Sequence, residues 1–478
     1  MGPGDILKDK YIRVYRTAIA ADSAYVDAVF DKEGFGSKKD QALRAVQRTI
    51  NRVDEIYESE LGIRLVLVRN EDQLIFADRS SDPFAAVNND ANKAIAAAQT
   101  TIDRVIGEKN YDIGHLFATG TAGLATLKSA CVAGFKARAT TGMSAPTGDG
   151  FDVDYVAHEF GHQFGANHTF NGTTDACGSG RRNPDTAFEP GSGSTIMSYT
   201  GPGLCGQESV QPDSDPYFHA ASLAEIAAFV QDTSAAGGNC AAKTTIPSLD
   251  VPPVDAGHDF TVPKGTPFVL IPAMSSARPL KFAWEEYDLG APAPPNDEGS
   301  SATTVRPLFR SRRPDLAGTR YFPALDSLVD QTSSKTFTAE TLPQLDRILT
   351  FRLTARNGFG RFNYSDVHVL IDASSGPFKL EQPSGGTAWA RGSAHNILWD
   401  VAHTDQAPLN IKSVQISILL DGDPSKEVVL NASTPNTGSA IATVPSGTAI
   451  SPRAILRISA VGSFFFSVAP MSLQIVPK

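Results

Sequence analysis

Three histidines and one glutamate in a short stretch of this 478-residue chain have the spacing of a metal site with a base beside it. His158 and His162 are four residues apart, so on a helix they share one face and both can reach a single ion. Glu159 lies next to them. Gly165 can adopt backbone angles that residues with a Cβ avoid, which allows the helix to end and His168 to return as a third ligand. Three protein ligands leave the fourth tetrahedral position of zinc to water, as a catalytic site requires.

The alternative is that these are ordinary core or solvated histidines. The chain has only nine histidines, and three at these offsets with a glutamate and a glycine are far more expected in a metal site than by accident. His115 and His219 lie outside the stretch, and we expect them to make structural hydrogen bonds. Asp152, Asp154 and Asp175 lack the regular spacing of calcium ligands. We therefore interpret these three as solvated loop carboxylates, and a calcium site has no support.

The region before the histidines alternates between strand-like and helix-like patterns. Apolar residues recur every three or four positions in the helical segments, whereas the strand segments are short apolar runs. We predict a strand at 11–19, a helix at 43–57 that stops at Gly62, a strand at 63–68, a helix at 94–105 and a strand at 111–117. Strands that alternate with helices of this length indicate an α/β unit with a mostly parallel sheet.

The chain changes character after Cys240, where prolines are frequent and helical periodicity is lost. Short β-rich runs separated by turn residues are typical of β-sandwiches. We predict strands at 268–271, 282–284, 348–355, 368–371, 396–399, 414–420, 441–444 and 455–461. A second break occurs at 374–377, so we expect three domains, at 1–245, 246–375 and 376–478. The irregular stretch 292–331 is either a loop decoration or a place where strands are missed.

Length, composition and charge limit the classes of protein that fit. A single core rarely grows beyond about 250–300 residues, so several domains are expected. The chain is 41% hydrophobic, as ordinary soluble proteins are, and no apolar run approaches the ~20 residues that cross a bilayer. A net charge of −10 at pH 7 gives no electrostatic reason to bind nucleic acid or an anionic membrane.

Cysteine usage indicates an exported protein. The four cysteines are an even number with wide spacing and no C-x-x-C pair, which favours two disulfides in an oxidising compartment. The start at residues 1–5 lacks the pattern of a signal peptide, and we interpret it as an expression or processing scar. We expect a signal and an inhibitory pro-segment upstream of it, and a secreted protein.

The string HExxHxxGxxH, here from His158 to His168, is the signature of the metzincin metalloproteases, and the chain resembles that clan closely at this motif. The clan also has a methionine turn, which residues 194–199 (STIMSY) match, with Met197 placed 29 residues after His168. The resemblance implies an α/β metzincin domain with one catalytic zinc held by His158, His162 and His168. It also implies that Met197 forms the apolar floor under the three imidazoles.

Within the clan the chain looks most like the adamalysin, or reprolysin, group, especially bacterial relatives, over residues 8–245. It is similar in HQFGANHTFNG at 162–172 and in EPGSGSTIMSY at 189–199. Thr169 stands where the animal adamalysins have aspartate. Tyr199 matches the position of a tyrosine that ligates zinc and stabilises the transition state in astacins and serralysins. The resemblance implies that role for Tyr199, and a packed aromatic at the edge of the site is the alternative.

The four cysteines allow three pairings. The similarity to adamalysins favours Cys131 with Cys240 and Cys177 with Cys205, because one bridge in that group links a cysteine upstream of the zinc helix to the end of the domain. The shorter loop would carry Met197.

These features predict a secreted zinc-dependent endopeptidase. Glu159 would take a proton from a zinc-activated water and deliver it to the leaving amine. We expect protein or peptide substrates, with side-chain preference set by the loops around 197–217. The second half, predicted as two Ig-like or fibronectin-III-like β-sandwiches, would bind extracellular matrix or cell-surface glycans, or act as a spacer. The alternative is a catalytically silent adhesin, or a glycan- or matrix-binding protein with a zinc-stabilised domain, and the presence of Glu159 argues against it.

Overall fold

An α/β unit forms the first half of the chain in the computed structural model, which describes residues 6–120, 122–201, 203–301, 305–329 and 339–478. Its helices are α1 (Ser23–Ala28), α2 (Lys38–Leu61), α3 (Ala91–Ile106), α4 (Asp149–Phe151), α5 (His158–Gln163) and α6 (Ala220–Gln231). Its strands are β1 (Tyr11–Ala21), β2 (Ile63–Leu67), β3 (Ile113–Ala118), β4 (Gly123–Ala125), β5 (Ala139–Gly142) and β6 (Ala242–Thr245). The start at residues 1–5, interpreted above as a scar, lies outside the described residues.

The first sheet has the strand order β2-β1-β3-β5-β4, and β6 also pairs with β1. The pairs β1 with β2, β1 with β3 and β3 with β5 are parallel, whereas β4 and β6 pair antiparallel to their neighbours. The prediction of a mostly parallel sheet is confirmed. Because β4 comes last in this order, it forms one edge of the sheet.

Helix α2 begins and ends at residues that satisfy its unpaired backbone groups. Ser37 accepts a hydrogen bond from the Asp40 backbone N–H, and the Asp40 side chain accepts one from the Ser37 backbone, so the two form a capping box. Gly62 ends the helix in the left-handed region, with φ of 61°. The predicted helix at 43–57 is therefore confirmed. It is longer at both ends because its caps lie outside the apolar stripe.

The second half of the chain is built from strands. They are β7 (Phe260–Pro263), β8 (Phe268–Leu270), β9 (Lys281–Glu286), β10 (Arg320–Phe322), β11 (Arg347–Arg356), β12 (Phe362–Asp372), β13 (Lys379–Gln382), β14 (Ala388–Ala390), β15 (Ala394–Asp400), β16 (Ser413–Leu420), β17 (Glu427–Pro435), β18 (Ser439–Thr443), β19 (Ser451–Ala460), β20 (Phe466–Val468) and β21 (Leu473–Val476). All eight predicted strands overlap observed ones. β10 was missed within 292–331 because three residues are too few to show an alternating pattern.

The strands form two β-sandwiches. The first consists of the sheet β7-β12-β11-β9 and the strand pair β10-β8. The second consists of the sheets β13-β15-β18 and β14-β21-β19-β16-β17, and β20 pairs with β19. One continuous hydrophobic cluster includes buried residues of both sandwiches. The backbone N–H of Val269 donates to the Phe464 carbonyl, at 2.9 Å, so the two sandwiches also share a backbone hydrogen bond. We propose the division 1–245, 246–375 and 376–478 for the three units, with the last two tightly joined.

The first sandwich packs on the α/β unit through the β11–β12 hairpin. Arg361, in the turn, is fully buried and donates to the Tyr11 carbonyl at 2.7 Å and to the Asp9 carboxylate at 3.0 Å. Arg356 is also buried, and it donates to the Glu60 carboxylate at 3.1 Å. Buried charges are tolerated when they are paired, so these arginines fix the places at which the two units meet.

Both disulfides lie in the α/β unit. Cys131 is joined to Cys240 across 109 residues, and Cys177 is joined to Cys205 across 28 residues. No helix within the described ranges is long and apolar enough to cross a membrane.

We predict that removing the Cys131–Cys240 disulfide by double substitution with serine destabilises the protein more than removing Cys177–Cys205 in the same way. The chain-entropy model gives about 4.8 kcal/mol for the longer loop and about 3.6 kcal/mol for the shorter one. Urea unfolding followed by tryptophan and far-UV signals measures both free energies of unfolding. An equal or larger loss on opening the shorter loop would contradict the prediction.

Candidate metal centre

The histidine-bearing helix is held by hydrogen bonds to α2 and to β3. It runs through α4, a π-helical turn at Asp152–Ala157 and α5. The Tyr57 hydroxyl of α2 donates to the Ala157 carbonyl at 2.8 Å, in the π-helical turn. The Gln163 amide donates to the Gly114 carbonyl of β3 at 3.0 Å. π-helical turns are often found at functional sites, and this one immediately precedes His158.

The helix ends as the sequence predicted. Gly165 has φ of 98°, in the region that favours glycine, and the Ala166 N–H returns to the Gly161 carbonyl at 2.9 Å. A Cβ on Gly165 would also lie 3.2 Å from both Lys128 and Phe229. The chain therefore turns sharply here and brings His168 back towards the helix.

The imidazoles of His158, His162 and His168 converge. One nitrogen of each lies within 4.8 Å of the other two, and the Nε2 atoms of His162 and His168 are 3.1 Å apart. In each ring Nδ1 faces a backbone carbonyl, that of Ile196 at 2.7 Å, of Ala166 at 2.8 Å and of Arg181 at 2.6 Å for the three histidines in order. A carbonyl can only accept, so Nδ1 carries the hydrogen and Nε2 keeps its lone pair.

Burial keeps the three rings neutral. It lowers the pKa of His158 to about 3 and that of His162 to about 4, and it lowers the pKa of His168 well below its usual value. Three neutral rings with lone pairs directed at one point repel each other unless a cation lies between them. This donor set fits a metal ion that prefers imidazole, as zinc does.

Glu159 lies beside the three histidines, and one of its carboxylate oxygens has no hydrogen-bond partner among the described residues. Its side chain is buried, and that oxygen is Oε2. Burial raises the pKa of Glu159 to about 8, and the charge of Arg181 opposes this shift. A Cβ placed on Gly123 of β4 would lie 2.1 Å from Oε1, so the strand approaches the carboxylate as closely as a glycine permits.

Met197 and Tyr199 of the methionine turn border the histidines. Met197 is fully buried, and its sulfur would lie 2.3 Å from a Cβ on Gly161, so the methionine packs directly against the helix. The Tyr199 ring lies 4.6 Å from the ring of His168 and 5.7 Å from that of His158. Burial raises the pKa of Tyr199 to about 12, and the charge of Arg181 opposes this shift.

Comparison with known families agrees with this geometry. Residues 11–228 match the family model described as reprolysin-like metallopeptidases of family M12B. This part of the chain is similar to that family. The resemblance drawn from the histidine motif is thereby confirmed, and a metallopeptidase domain is the first unit of the protein.

Solved structures similar to the chain consist of Ig-like domains. A chimeric titin Z1Z2-Z1Z2 tandem functionalized with a GRGDS peptide from fibronectin is 15% identical, over 46% of this chain and 95% of that one, with a TM-score of 0.17. The tandem Ig repeats of Dlar are 10% identical over 46% and 95%, with a TM-score of 0.22. At these scores the likeness adds nothing to the strand pairing described above. A search of the curated proteins found no match.

The other predicted polar residues have structural partners in the metallopeptidase domain. His115 is buried, with Nδ1 3.3 Å from Gln163 Oε1 and Nε2 2.9 Å from Thr141 Oγ1, so it ties β3 to the helix and β5. His219 caps α6 by accepting from the Ala221 N–H at 3.1 Å. The expectation of structural hydrogen bonds is confirmed for both histidines.

The interpretation of the three aspartates as solvated loop carboxylates was wrong for two of them. Asp152 and Asp154 lie in the π-helical turn, where Asp152 accepts from the Thr49 hydroxyl at 2.7 Å and Asp154 from the Ser214 backbone at 2.8 Å. Burial raises the pKa of Asp154 to about 6. Asp175 is exposed. Sequence reasoning failed here because it did not extend the helix back from His158.

Two residues of the site were missed. Arg181 supplies the carbonyl that accepts from His168 Nδ1, and its charge acts on the pKa of Tyr199 and of Glu159. Glu189 is fully buried and accepts from Thr169 Oγ1 at 2.6 Å, from the Ser194 backbone at 2.9 Å and from further groups of the methionine turn. No spacing rule marks Arg181. A signal existed for Glu189, since it begins the EPGSGSTIMSY string and a carboxylate in such a polar, glycine-rich run is expected to accept backbone bonds.

We predict that Gly123→Ala lowers kcat by about 100-fold without loss of metal, because the new methyl group must displace the Glu159 carboxylate and a shift of about 1 Å can cost this much. Peptide cleavage rates with metal analysis of the same sample measure the effect. Gly150→Ala is the matched control, because its Cβ would meet only Met143 Cε, at 4.0 Å. Wild-type kcat in Gly123→Ala would contradict the prediction.

Proposed function

We propose that this chain is a secreted zinc-dependent endopeptidase that hydrolyses internal peptide bonds of proteins. The observation that carries the proposal is the convergence of three neutral imidazoles next to a buried, unpartnered carboxylate oxygen. The similarity of residues 11–228 to a metallopeptidase family supports the reaction class. The two disulfides support export, because such bonds persist in oxidising compartments.

His158, His162 and His168 would hold the zinc through Nε2. When bound, zinc polarises the scissile carbonyl and lowers the pKa of a coordinated water from about 15.7 towards about 7. Glu159 accepts a proton from that water at its free oxygen and later donates it to the leaving amine. With a cation held by the three histidines, the charged carboxylate of Glu159 would be favoured, which would offset the effect of burial on its pKa.

Two further parts of the domain support a peptide substrate. Strand β4 is the last strand of the sheet and lies against Glu159, so an extended peptide added to its edge would run past the base. The Tyr199 ring lies 4.6 Å from the ring of His168, and its hydroxyl would donate to the carbonyl oxygen as negative charge develops.

The direct test is cleavage of denatured casein or gelatin by zinc-loaded protein, with and without a chelator. The proposal predicts cleavage that the chelator abolishes and added zinc restores. Freshly loaded protein that cuts neither substrate would favour the alternative of a silent adhesin. Binding of matrix or glycans by the sandwiches stays a separate prediction.

We predict that Glu159→Gln keeps its zinc and its fold but lowers kcat by roughly 1,000-fold, because the amide has nearly the same shape and cannot accept the proton. Metal content, circular dichroism and peptide cleavage are measured on one preparation. Glu33→Gln is the control, since Glu33 is exposed. Near-wild-type turnover by a zinc-loaded Glu159→Gln variant would remove Glu159 from the mechanism.

We predict that His168→Ala weakens zinc binding by roughly 100-fold or more and abolishes cleavage, because solvent cannot replace one of three protein ligands without weakening the site. Competition with a zinc-binding dye measures the affinity. His258→Ala serves as the control, because His258 is an exposed histidine in the first sandwich. Full zinc occupancy in His168→Ala at nanomolar free zinc would rule out the third ligand.

A further inference from the structure

A long segment of the first sandwich lies against the metallopeptidase domain. It connects β9 to β10, and we call its described residues 290–301 and 305–313 the arm. Opposite it are the residues that follow His168 and pass through the methionine turn. We call the described residues 189–201 and 203–215 of that part the wall. The wall includes Met197 and Tyr199, so it borders the three histidines.

The arm holds the chain on the His168 side of the site. The Asn171 amide donates to the Ala291 carbonyl at 3.1 Å, and the Ala293 N–H donates back to the Asn171 carbonyl at 3.1 Å. Arg182 donates to the Gly290 carbonyl at 2.6 Å. Arg182 directly follows Arg181, whose carbonyl fixes the His168 ring. The arm therefore supports both segments that determine the position of the third histidine.

The arm also reaches the methionine turn itself. The Ser194 hydroxyl lies 2.9 Å from the Ser311 carbonyl, to which it donates, and both residues are buried. A Cβ on Gly191 would lie 2.9 Å from the Cβ of Pro295, so there the two segments are packed as closely as a glycine allows. Ser194 is three residues before Met197.

Arg310 of the arm binds the part of the wall at Val210 and Gln211. It donates to the Val210 carbonyl at 3.1 Å and to the Gln211 side-chain carbonyl. The Gln211 amide in turn donates to the Ser194 carbonyl at 3.2 Å. A second arginine, Arg313, pairs with Asp215 at the surface. Through Gln211, Arg310 thus connects the part of the wall near residue 210 with Ser194, near the start of the wall.

The wall has little regular structure of its own to hold this shape. Its one regular element is a single short helical turn at Gly206–Glu208. A segment of this kind keeps its shape only through packing and side-chain hydrogen bonds, and otherwise opens at low cost in free energy. The sheet side of the cleft is different, because the backbone ladder between β4 and β5 fixes it.

We propose that the arm is part of the substrate cleft, and that Arg310 is a positioning residue that sets the shape of the wall and thereby the side chains the cleft accepts. This inference rests on the proposed peptidase function. It assigns a role to the residues of the arm, most of which belong to the stretch predicted as irregular, and it makes the first sandwich a component of the peptidase and not an attached module.

The test compares Arg310→Ala, Arg310→Lys and the control Arg457→Ala in the full-length chain. Arg457 is a matched arginine, since it joins the two sandwiches through Tyr321 and Glu427 and has 12% of its side chain exposed, far from the wall. The readouts are zinc content, amide hydrogen exchange of residues 189–215, and the cleavage pattern of a proteome-derived peptide library with kcat and KM for one product peptide.

In Arg310→Ala we expect full zinc content, about tenfold faster exchange within the wall, a KM raised about fivefold or more, kcat within about twofold and a broadened cleavage pattern. Arg310→Lys should restore part of the pattern, because a lysine can still donate to one of the two acceptors. Arg457→Ala should change neither the pattern nor exchange in the wall. If Arg310 only stabilised the fold, Arg310→Ala would lower the thermal stability and leave hydrogen exchange in the wall and the cleavage pattern as in the wild type.

Unchanged exchange in the wall of Arg310→Ala overturns the inference, whatever the activity. An unchanged pattern in an active enzyme overturns it as well. Wild-type protein that cuts nothing, with faster exchange in Arg310→Ala, would instead reject the proposed function and retain the positioning role. If Arg310→Ala fails to fold, Arg313→Ala carries the same test at the ion pair between arm and wall, because the Arg313 side chain is 66% exposed and its partner Asp215 keeps 16% of its side chain exposed to water.

Discussion

The site depends on one constraint, that three imidazoles direct their Nε2 lone pairs at a single point. Each ring is turned by a hydrogen bond from Nδ1 to a backbone carbonyl, and the carbonyls of Ile196, Ala166 and Arg181 come from three different segments. Local helix geometry alone places only two of the rings on one face. The position of each carbonyl must therefore be fixed by other segments of the domain.

The supports of these carbonyls form a continuous chain of contacts. Ala166 is fixed by the turn at Gly165, and Arg181 lies within the loop that the Cys177–Cys205 disulfide closes. Ile196 lies in the methionine turn, where the buried Glu189 accepts hydrogen bonds from the backbone and hydroxyl groups of its neighbours. A buried carboxylate is stable only when such donors surround it, so Glu189 and the turn require each other.

Much of the architecture could be predicted from the sequence, because its signals are local. The helix and strand patterns, the stop at Gly62 and the turn at Gly165 depend on residues near in sequence, and the structure contains them. The extension of the helix back to Asp149 was missed, since a π-helical turn breaks the period of 3.6 residues on which the prediction relied. The role of Arg181 was missed for another reason. Its contribution is a backbone carbonyl, which any residue type has, so no residue pattern could reveal it.

The first sandwich could be predicted as a fold, because strand patterns are local in the sequence. Its place in the catalytic unit could not be predicted, because that depends on contacts between residues far apart in the sequence. A spacer needs contacts only where the chain enters and leaves it. The first sandwich instead places Arg361 against Asp9, Arg356 against Glu60 and its arm against the wall, at three separate places. Separating the two units would break these hydrogen-bonded pairs together and would expose Phe362 of β12, which packs in the hydrophobic core of the α/β unit. The two units therefore behave as one body, and the surfaces left for a partner lie away from this contact, on the outer faces of the sandwiches.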